Sequence, residues 1–195
     1  FLDRIRESRG FDLVATAHHR DDHIETLLLW LDRGSGLTGM EGIRARSATR
    51  LRPLREIPRQ DILLYMEARG LEWREDPTNA DPSARRNRIR HEMLPGLRDE
   101  FGEAGLACLV ESAEHAARAG RFLGELAEAA REGLERENDG SGEDSIRLDR
   151  DGFAGLPEIL QLELLRRLVR ELEPPGPQRW DQAGLRRLRQ FALTG

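Results

Sequence analysis

The chain of 195 residues contains no lysine, a single cysteine and no apolar run of about 18 residues that could cross a membrane. Because all 31 basic residues are arginine, an internal lysine nucleophile is excluded. Cys108 stands alone, which excludes an internal disulfide and a Cys-x-x-Cys metal or redox motif. We expect Cys108 to be a small buried residue on a helix. Together these features are typical of a cytoplasmic protein.

Charged residues, by contrast, are abundant: they make up 34% of the chain, and the net charge is -5. This acidic balance argues against a protein that coats nucleic acid indiscriminately, although binding depends on where the charges lie. Arginine is concentrated in two groups, which are Arg44, Arg46, Arg50, Arg52, Arg55 and Arg59, then Arg85, Arg86, Arg88, Arg90 and Arg98. On the pattern alone, these groups fit a solvated face and a phosphate-binding face equally well.

A dense polar cluster at residues 18–26, His-His-Arg-Asp-Asp-His-Ile-Glu-Thr, directly follows an apolar run at residues 13–17 that predicts a strand. In an open α/β sheet, ligands bind beyond the carboxyl ends of the strands, so the cluster lies where a site would form. A helix that begins near Asp21 would place Asp22, Glu25 and Thr26 on one face. Helix capping is the alternative explanation for any single one of them. For the cluster as a whole we favour a catalytic or binding site.

A glycine-rich segment at residues 34–39 reads G-x-G-x-x-G. The dinucleotide-binding fingerprint of this form must follow a strand and open a helix. Here the segment follows a predicted helix at residues 24–31 and leads into the first arginine group, so we discount a nicotinamide site. Its backbone N–H groups could still approach a phosphate or a nucleotide closely.

Most of the remaining chain is predicted to be helical. We expect helices at residues 1–9, 59–69, 84–94, 105–137, 156–172 and 179–191, a turn at residues 75–79 and a short strand at residues 146–148. Pro95 is expected to end the basic helix that opens at residue 84. The chain is long enough for two small domains, which we place at residues 1–104 and 105–195. The second domain contains no motif that indicates chemistry.

Four motifs follow one another along the first half of the chain. They are His18-His19-x-Asp21-Asp22-x-x-Glu25-Thr26, Arg33-Gly34-Ser35-Gly36-Leu37-x-Gly39, Glu75-Asp76-Pro77-Thr78-Asn79 and Arg86-Asn87-x-Ile89-Arg90. In this order and at these separations, the chain resembles the bacterial tRNA(Ile)-lysidine synthetases, which belong to the PP-loop ATP pyrophosphatase superfamily. The resemblance is strong over about residues 10–100 and weak in the helical remainder. Any one motif would be weak evidence, whereas four in order are specific.

The resemblance implies an α/β fold: the C-terminal part of a Rossmann-like, parallel-sheet PP-loop domain, followed by a mostly α-helical second domain. It implies an ATP-dependent ligase that adenylates the wobble cytidine of tRNA(Ile) with a CAU anticodon. Free L-lysine then displaces AMP to give lysidine. ATP and Mg²⁺ are the cofactors that the resemblance implies for the parent enzyme. A homodimer is compatible with it, and no membrane partner is implied.

The resemblance also assigns the motif residues to three groups. The catalytic group is His18, His19, Asp22, Glu25 and Thr26; the nucleotide-binding group is Arg33, Gly34, Ser35 and Gly36; the tRNA-binding group is Arg86, Asn87, Arg88 and Arg90. No metal ligand is assigned. Asp22 and Glu25 are candidates to bind the lysine ammonium or to take its proton. The arginines of the third group are expected to hold RNA phosphates, because guanidinium groups match phosphate oxygens.

One family motif, the ATP-binding loop Ser-Gly-Gly-x-Asp-Ser, does not occur in these 195 residues. The chain begins at Phe1 rather than at a methionine, in a stretch typical of the end of a helix. We therefore expect the loop to lie upstream of Phe1, and the chain to be a fragment that is inactive alone.

Three other functions fit part of the pattern. A tRNA thiolation enzyme of the same superfamily commonly needs catalytic or cluster-binding cysteines, which Cys108 alone cannot supply. A non-catalytic RNA-binding module would need the arginine groups but not the polar cluster. A metal-dependent phosphohydrolase that uses His18, His19 and Asp22 would need further distant ligands, which the sequence does not offer.

Overall fold

The computed structural model describes residues 1–32, 36–74, 85–136, 145–172 and 181–194. Most of them are helical. The elements, in order, are α1 (Leu2–Ser8), β1 (Val14–Ala15), α2 (Arg20–Asp32), α3 (Gly36–Gly39), β2 (Arg50–Leu51), α4 (Arg59–Ala68), α5 (Arg85–Arg88), a π-helical turn (Ile89–Met93), α6 (Leu94–Leu134), β3 (Glu135–Arg136), β4 (Arg147–Leu148), α7 (Arg150–Gly155), α8 (Glu158–Leu172) and α9 (Gln182–Thr194). Within these ranges, no helix is both long and apolar enough to cross a membrane.

The described residues divide into two compact units. The first contains Phe1–Asp32 and Gly39–Glu114, and the second contains residues 36–38 and those from His115 onward. The domain boundary predicted at residues 104/105 lies on the N-terminal side of the division between Glu114 and His115, and it stays a prediction.

The strand predicted at residues 13–17 is confirmed for its central part, β1. It pairs in parallel with β2, with Val14 opposite Arg50 and Ala15 opposite Leu51. Hydrogen bonds extend the pairing on both sides, since Val14 N–H donates to the Thr49 carbonyl and Thr16 N–H donates to the Leu51 carbonyl. The polar cluster therefore begins at the carboxyl end of a parallel strand, as expected.

Helix α2 carries the cluster, and its apolar face is fixed in the core of the first unit. Ile24 and Leu27 have relative exposures of 0% and 1%. They pack in one buried cluster with residues of α6, namely Leu94, Leu106, Val110 and Ala113. This burial sets the rotation of α2, so that the other side of its first turns is presented at the end of β1.

The predicted end of the basic helix before Pro95 is wrong. The π-helical turn follows α5 directly, and Leu94 N–H donates to the Ile89 carbonyl five residues earlier. Pro95 follows this turn inside a continuous helical stretch and does not end it. The helical stretch continues to Gly102, whose φ of 66° and ψ of -179° are not helical and separate it from the long helix that follows. That second part of α6 begins close to the predicted residue 105.

The second unit is built around a separate apolar core. Leu164 and Leu185, from α8 and α9, are 0% and 1% exposed and pack with Ala127 of α6 and Phe153 of α7. The strand predicted at residues 146–148 is confirmed as β4, which pairs antiparallel with β3. Asp149 caps α7 by accepting a hydrogen bond from Gly152 N–H at 2.8 Å. The prediction that Cys108 is buried is wrong: it lies on helix α6 but is exposed.

Candidate active site

The polar cluster borders an open cleft at the carboxyl end of β1. The cleft has a volume of about 340 Å³ and is lined by Ala17, His18, Asp22, Arg86 and Arg90. Two of the motifs singled out in the sequence, at residues 18–26 and 86–90, are thus brought together across more than 60 residues of chain.

Two carboxylates of α2 bind two guanidinium groups in this cleft. Arg90 donates from Nε to Glu25 Oε1 at 2.6 Å and from Nη2 to Glu25 Oε2 at 2.9 Å. Arg86 donates from Nε to Glu25 Oε2 at 2.9 Å. Asp22 Oδ1 accepts from Arg90 Nη2 at 3.0 Å and from Arg86 Nη2 at 3.2 Å. The four side chains form a network without net charge, in which Glu25 has an exposure of only 1%.

The spacing of these side chains along their helices explains the network. Asp22 and Glu25 are three residues apart on α2, as predicted, and Arg86 and Arg90 are four residues apart across the junction of α5 and the π-helical turn. Each pair therefore shares a helix face. The π-helical turn contains Arg90, and such turns occur frequently at functional sites.

Asp22 has a second contact, which caps the helix. Its Oδ2 accepts a hydrogen bond from His19 N–H at 3.0 Å, and Asp22 N–H donates to His19 Nδ1 at 3.3 Å. This reciprocal arrangement is that of a capping box at the N-terminus of a helix. The cap considered for Asp22 is therefore present and uses one carboxylate oxygen, while the other oxygen binds the two arginines. A functional role of Asp22 stays a prediction.

His18 lines the cleft as a neutral imidazole. Its Nδ1 lies 2.9 Å from Thr16 Oγ1. Burial lowers the pKa of His18 from its ordinary value of 6.5, the charges of Arg52 and Arg86 lower it further, and Asp22 opposes them. Among the residues that the structure describes, none is hydrogen-bonded to Nε2 of His18, which leaves this nitrogen for a ligand.

Other members of the cluster have structural contacts. Thr26 donates its hydroxyl hydrogen to the Asp22 carbonyl at 2.8 Å. Asp21, which is 6% exposed, accepts a hydrogen bond from Arg98 at 3.0 Å. His23 is completely buried: Ile43 N–H donates to its Nδ1 at 3.0 Å, and Arg55 Nη2 lies 2.9 Å from its Nε2.

The predicted tRNA-binding residues lie in different environments. Arg88 is 66% exposed, with Glu92 at 4.0 Å, whereas Asn87 is 7% exposed and offers little surface to RNA. Arg86 and Arg90 bind the carboxylates of α2. This pairing was not predicted, although the spacing of the carboxylates at i and i+3 matches that of the arginines at i and i+4.

The predicted nucleotide-binding group is described only in part. Gly36 opens α3 with a φ of 67°. Arg33, Gly34 and Ser35 lie outside the described residues, as does the motif at residues 75–79.

Comparison with known proteins connects this geometry to a family. A model of the PP-loop domain matches residues 1–97, about half of the chain, and this range includes every residue that lines the cleft. A tRNA(Ile)-lysidine synthase from Symbiobacterium thermophilum is 39% identical over 173 residues, which cover 86% of this chain and 35% of that protein. The chain belongs to the tRNA(Ile)-lysidine synthase family.

Two further relatives of the same name support the assignment. The synthase from Bradyrhizobium diazoefficiens is 35% identical over 184 residues, which cover 90% of this chain and 50% of that protein. The synthase from Ralstonia nicotianae is 42% identical over 130 residues, which cover 65% and 28%. The chain thus spans between about a quarter and a half of the length of these synthases.

The family's PP-loop domain is an ATP-binding domain, and ATP chemistry of this kind commonly uses Mg²⁺. The described residues do not fit that ion. No group of three or more His, Cys, Asp or Glu side chains among them could hold a metal. The oxygens of Asp22 and Glu25, which would be the natural ligands in the cleft, are occupied by arginine and by the helix cap.

Proposed function

We propose that the complete protein converts the wobble cytidine of tRNA(Ile) with a CAU anticodon into lysidine. ATP adenylates the cytidine and pyrophosphate leaves; the amine of free L-lysine then forms a bond to the cytidine as the bond to AMP breaks. The observation that carries this proposal is the cleft at the end of β1, where His18 and Asp22 meet Arg86 and Arg90. Such a cleft offers a proton acceptor, a carboxylate and two cations to a reaction between an amine and an adenylate.

We assign His18 the role of proton acceptor. The attacking amine must lose a proton, and an acceptor must be unprotonated before the step begins. The lowered pKa of His18 keeps its imidazole neutral at pH 7. Its contact with Thr16 orients the ring through Nδ1, so that Nε2 is the nitrogen that takes the proton.

Glu25 has a different role from the one suggested by its position in the motif. Both of its oxygens accept guanidinium hydrogen bonds, and 1% exposure leaves no path for an amine. We propose that Glu25 holds Arg90 and Arg86 in place. We assign the lysine ammonium to Asp22, which lines the cleft and is more exposed than Glu25. Its Oδ1 becomes available when the exposed Arg86 turns away from it.

Arg86 and Arg90 suit phosphate groups, because a guanidinium can donate two parallel hydrogen bonds to phosphate oxygens. Arg86 is 44% exposed, so it can turn from Asp22 towards an anionic ligand at small cost. We propose that these two arginines hold the phosphate of the adenylate or of the tRNA backbone in the cleft. Arg88, which lies on the exposed side, would contact tRNA phosphates only.

The other functions have less support. A thiolation enzyme would need cysteines besides Cys108, which this chain lacks. A non-catalytic RNA-binding module would not need a proton acceptor such as His18. A cytoplasmic location and a homodimer stay predictions.

The test uses the protein expressed from its complete coding sequence. It is incubated with an unmodified tRNA(Ile) transcript, ATP and radiolabelled lysine. We expect lysine to enter the tRNA with release of one AMP per lysine, and no incorporation into a transcript whose wobble cytidine is replaced by uridine. Binding of the tRNA without AMP release would contradict the proposal and favour the RNA-binding module.

A matched pair of variants connects the result to the cleft. Asp22→Asn removes the charge in the cleft, while its amide oxygen can still accept the capping hydrogen bond from His19. We expect incorporation to fall by about 100-fold or more, as for loss of a group that contacts the substrate. Asp32→Asn, at the other end of α2, is the control and is expected to retain activity.

A further inference from the structure

Gly36, the second glycine of the Arg33-Gly34-Ser35-Gly36 motif, lies against two polar side chains of the helical second unit. A Cβ atom at this position would come within 2.9 Å of Gln182 Nε2 and 3.1 Å of Arg166 Nη2. The φ of Gly36 is 67°, a conformation that residues with a side chain rarely adopt. The backbone at Gly36 therefore approaches these groups as closely as only glycine allows.

Arg166 is itself held in place. Its side chain is 14% exposed and forms an ion pair with Glu163, which lies one turn earlier on α8 and is 5% exposed. Gln182 is the first residue of α9. The glycine thus rests on two polar groups from two helices, in a unit whose sequence suggested no chemistry.

We propose that Arg166 and Gln182 are positioning residues for the glycine-rich motif. By packing against Gly36 they order the start of α3 before the nucleotide binds. Ordering a binding segment in advance lowers the entropy cost of binding. Loss of Arg166 or Gln182 should therefore weaken nucleotide binding, although neither side chain contacts the nucleotide. That the ligand is a nucleotide rests on the proposed function, whereas the ordering of the segment does not.

Arg167 provides a matched control, because it neighbours Arg166 on the same helix and also lies near Glu163. Its Nε is 3.6 Å from Glu163 and its Nη1 is 3.6 Å from Glu128. It packs against Gly124 rather than Gly36. Arg166→Ala and Arg167→Ala thus remove the same charge from the same helix, and only the first removes the contact with the motif.

The first measurement is amide hydrogen exchange in the protein expressed from its complete coding sequence. We expect peptides that cover residues 36–39 to exchange faster by about fivefold or more in Arg166→Ala, and to be unchanged in Arg167→Ala. Arg166→Lys should restore part of the protection. Equal exchange of this segment in the two alanine variants would overturn the inference.

The second measurement is lysine incorporation as a function of ATP concentration. We expect Arg166→Ala to raise the KM for ATP by about fivefold with little change in kcat, and Arg167→Ala to leave both unchanged. A lower kcat at an unchanged KM would overturn the positioning role. If the unsubstituted protein incorporates no lysine, the proposed function fails, and the exchange measurement alone decides the inference.

Discussion

Glu25 accepts two parallel hydrogen bonds from the guanidinium of Arg90, 2.6 Å from Nε to Oε1 and 2.9 Å from Nη2 to Oε2. The two residues are 65 positions apart in the chain. A paired geometry of this kind fixes the plane of the guanidinium as well as its position. The contact therefore joins α2 to the π-helical turn and sets the direction in which Arg90 presents its remaining hydrogens to the cleft.

The first prediction concerns the shape of this contact. Arg90→Lys keeps the positive charge but replaces the planar fork by a single ammonium, which cannot donate to both Glu25 oxygens in that geometry. We expect kcat for lysine incorporation to fall by about tenfold or more. The loss of stability should be about 1 to 3 kcal/mol, because the buried Glu25 loses one of its donors. Steady-state kinetics and urea unfolding measure the two quantities.

Arg85→Lys is the control for this prediction. Arg85 is 64% exposed and pairs with Asp32 at the surface, so its substitution should alter neither quantity. If Arg90→Lys behaved in the same way, the planar geometry at Glu25 would have no part in the reaction.

The second prediction concerns tRNA binding by Arg88. This side chain is 66% exposed and is 4.0 Å from Glu92, an exposed pair that contributes little. Arg88→Ala should weaken tRNA binding and reduce the slope of log K against log salt by about 0.7 to 0.9, the value for one lost phosphate contact. Arg136→Ala, which removes an exposed arginine from β3, should leave the slope unchanged. Identical slopes in both variants would contradict the phosphate role of Arg88.

Part of this site could be predicted from the sequence because it depends on local rules. The apolar run before His18 and the spacing of Asp22, Glu25 and Thr26 give the end of a strand and one face of a helix. Both are properties of neighbouring residues. The position of α2 in the structure confirms them.

The partners of the cluster come from distant parts of the chain, so the matching spacing of two carboxylates and two arginines is the one sequence signal for them. Nothing near Glu25 indicates that Arg86 and Arg90 neutralise it. The local signal at Pro95 predicted a helix end, but the helix continues through the π-helical turn and past that proline to Gly102. His23 likewise lies within the polar motif of the sequence, but its side chain is completely buried in the structure.

The third prediction follows from the burial of His23. Burial, with the charge of Arg55 in addition, lowers its pKa from 6.5 to about 4. Both groups beside its ring nitrogens, Ile43 N–H and the Arg55 guanidinium, are donors, so an added proton finds no acceptor there. As the pH is lowered, the histidine of the unfolded chain binds a proton near pH 6.5, whereas that of the folded protein does so only near pH 4. The free energy of unfolding should therefore decrease as the pH falls from 6.5 to about 4.

His23→Gln isolates this contribution. The variant should be less stable than the unsubstituted protein at pH 7, and the difference between the two should shrink as the pH falls towards 4, because the histidine contribution is lost from one of them only. His115→Gln, at an exposed position of α6, should keep the pH dependence of the unsubstituted protein. Urea unfolding at intervals of pH measures the difference. A constant difference over this range would show that His23 does not titrate as described.

The last prediction compares two glycines that have nearly the same backbone conformation. Gly42 has a φ of 54° and Gly70 a φ of 62°, so alanine at either position costs about 1 to 2 kcal/mol from the backbone alone. A Cβ at Gly42 would also come within 2.6 Å of Cε1 of His23, whereas nothing lies within 4 Å of a Cβ at Gly70. Because His23 is buried and held by Ile43 N–H and Arg55, it cannot move aside freely. We expect Gly42→Ala to be less stable than Gly70→Ala by about 1 to 3 kcal/mol, the usual cost of overpacking a buried site. Urea unfolding of both variants decides the matter, since equal losses would mean that the loop at Gly42 does not hold the His23 ring.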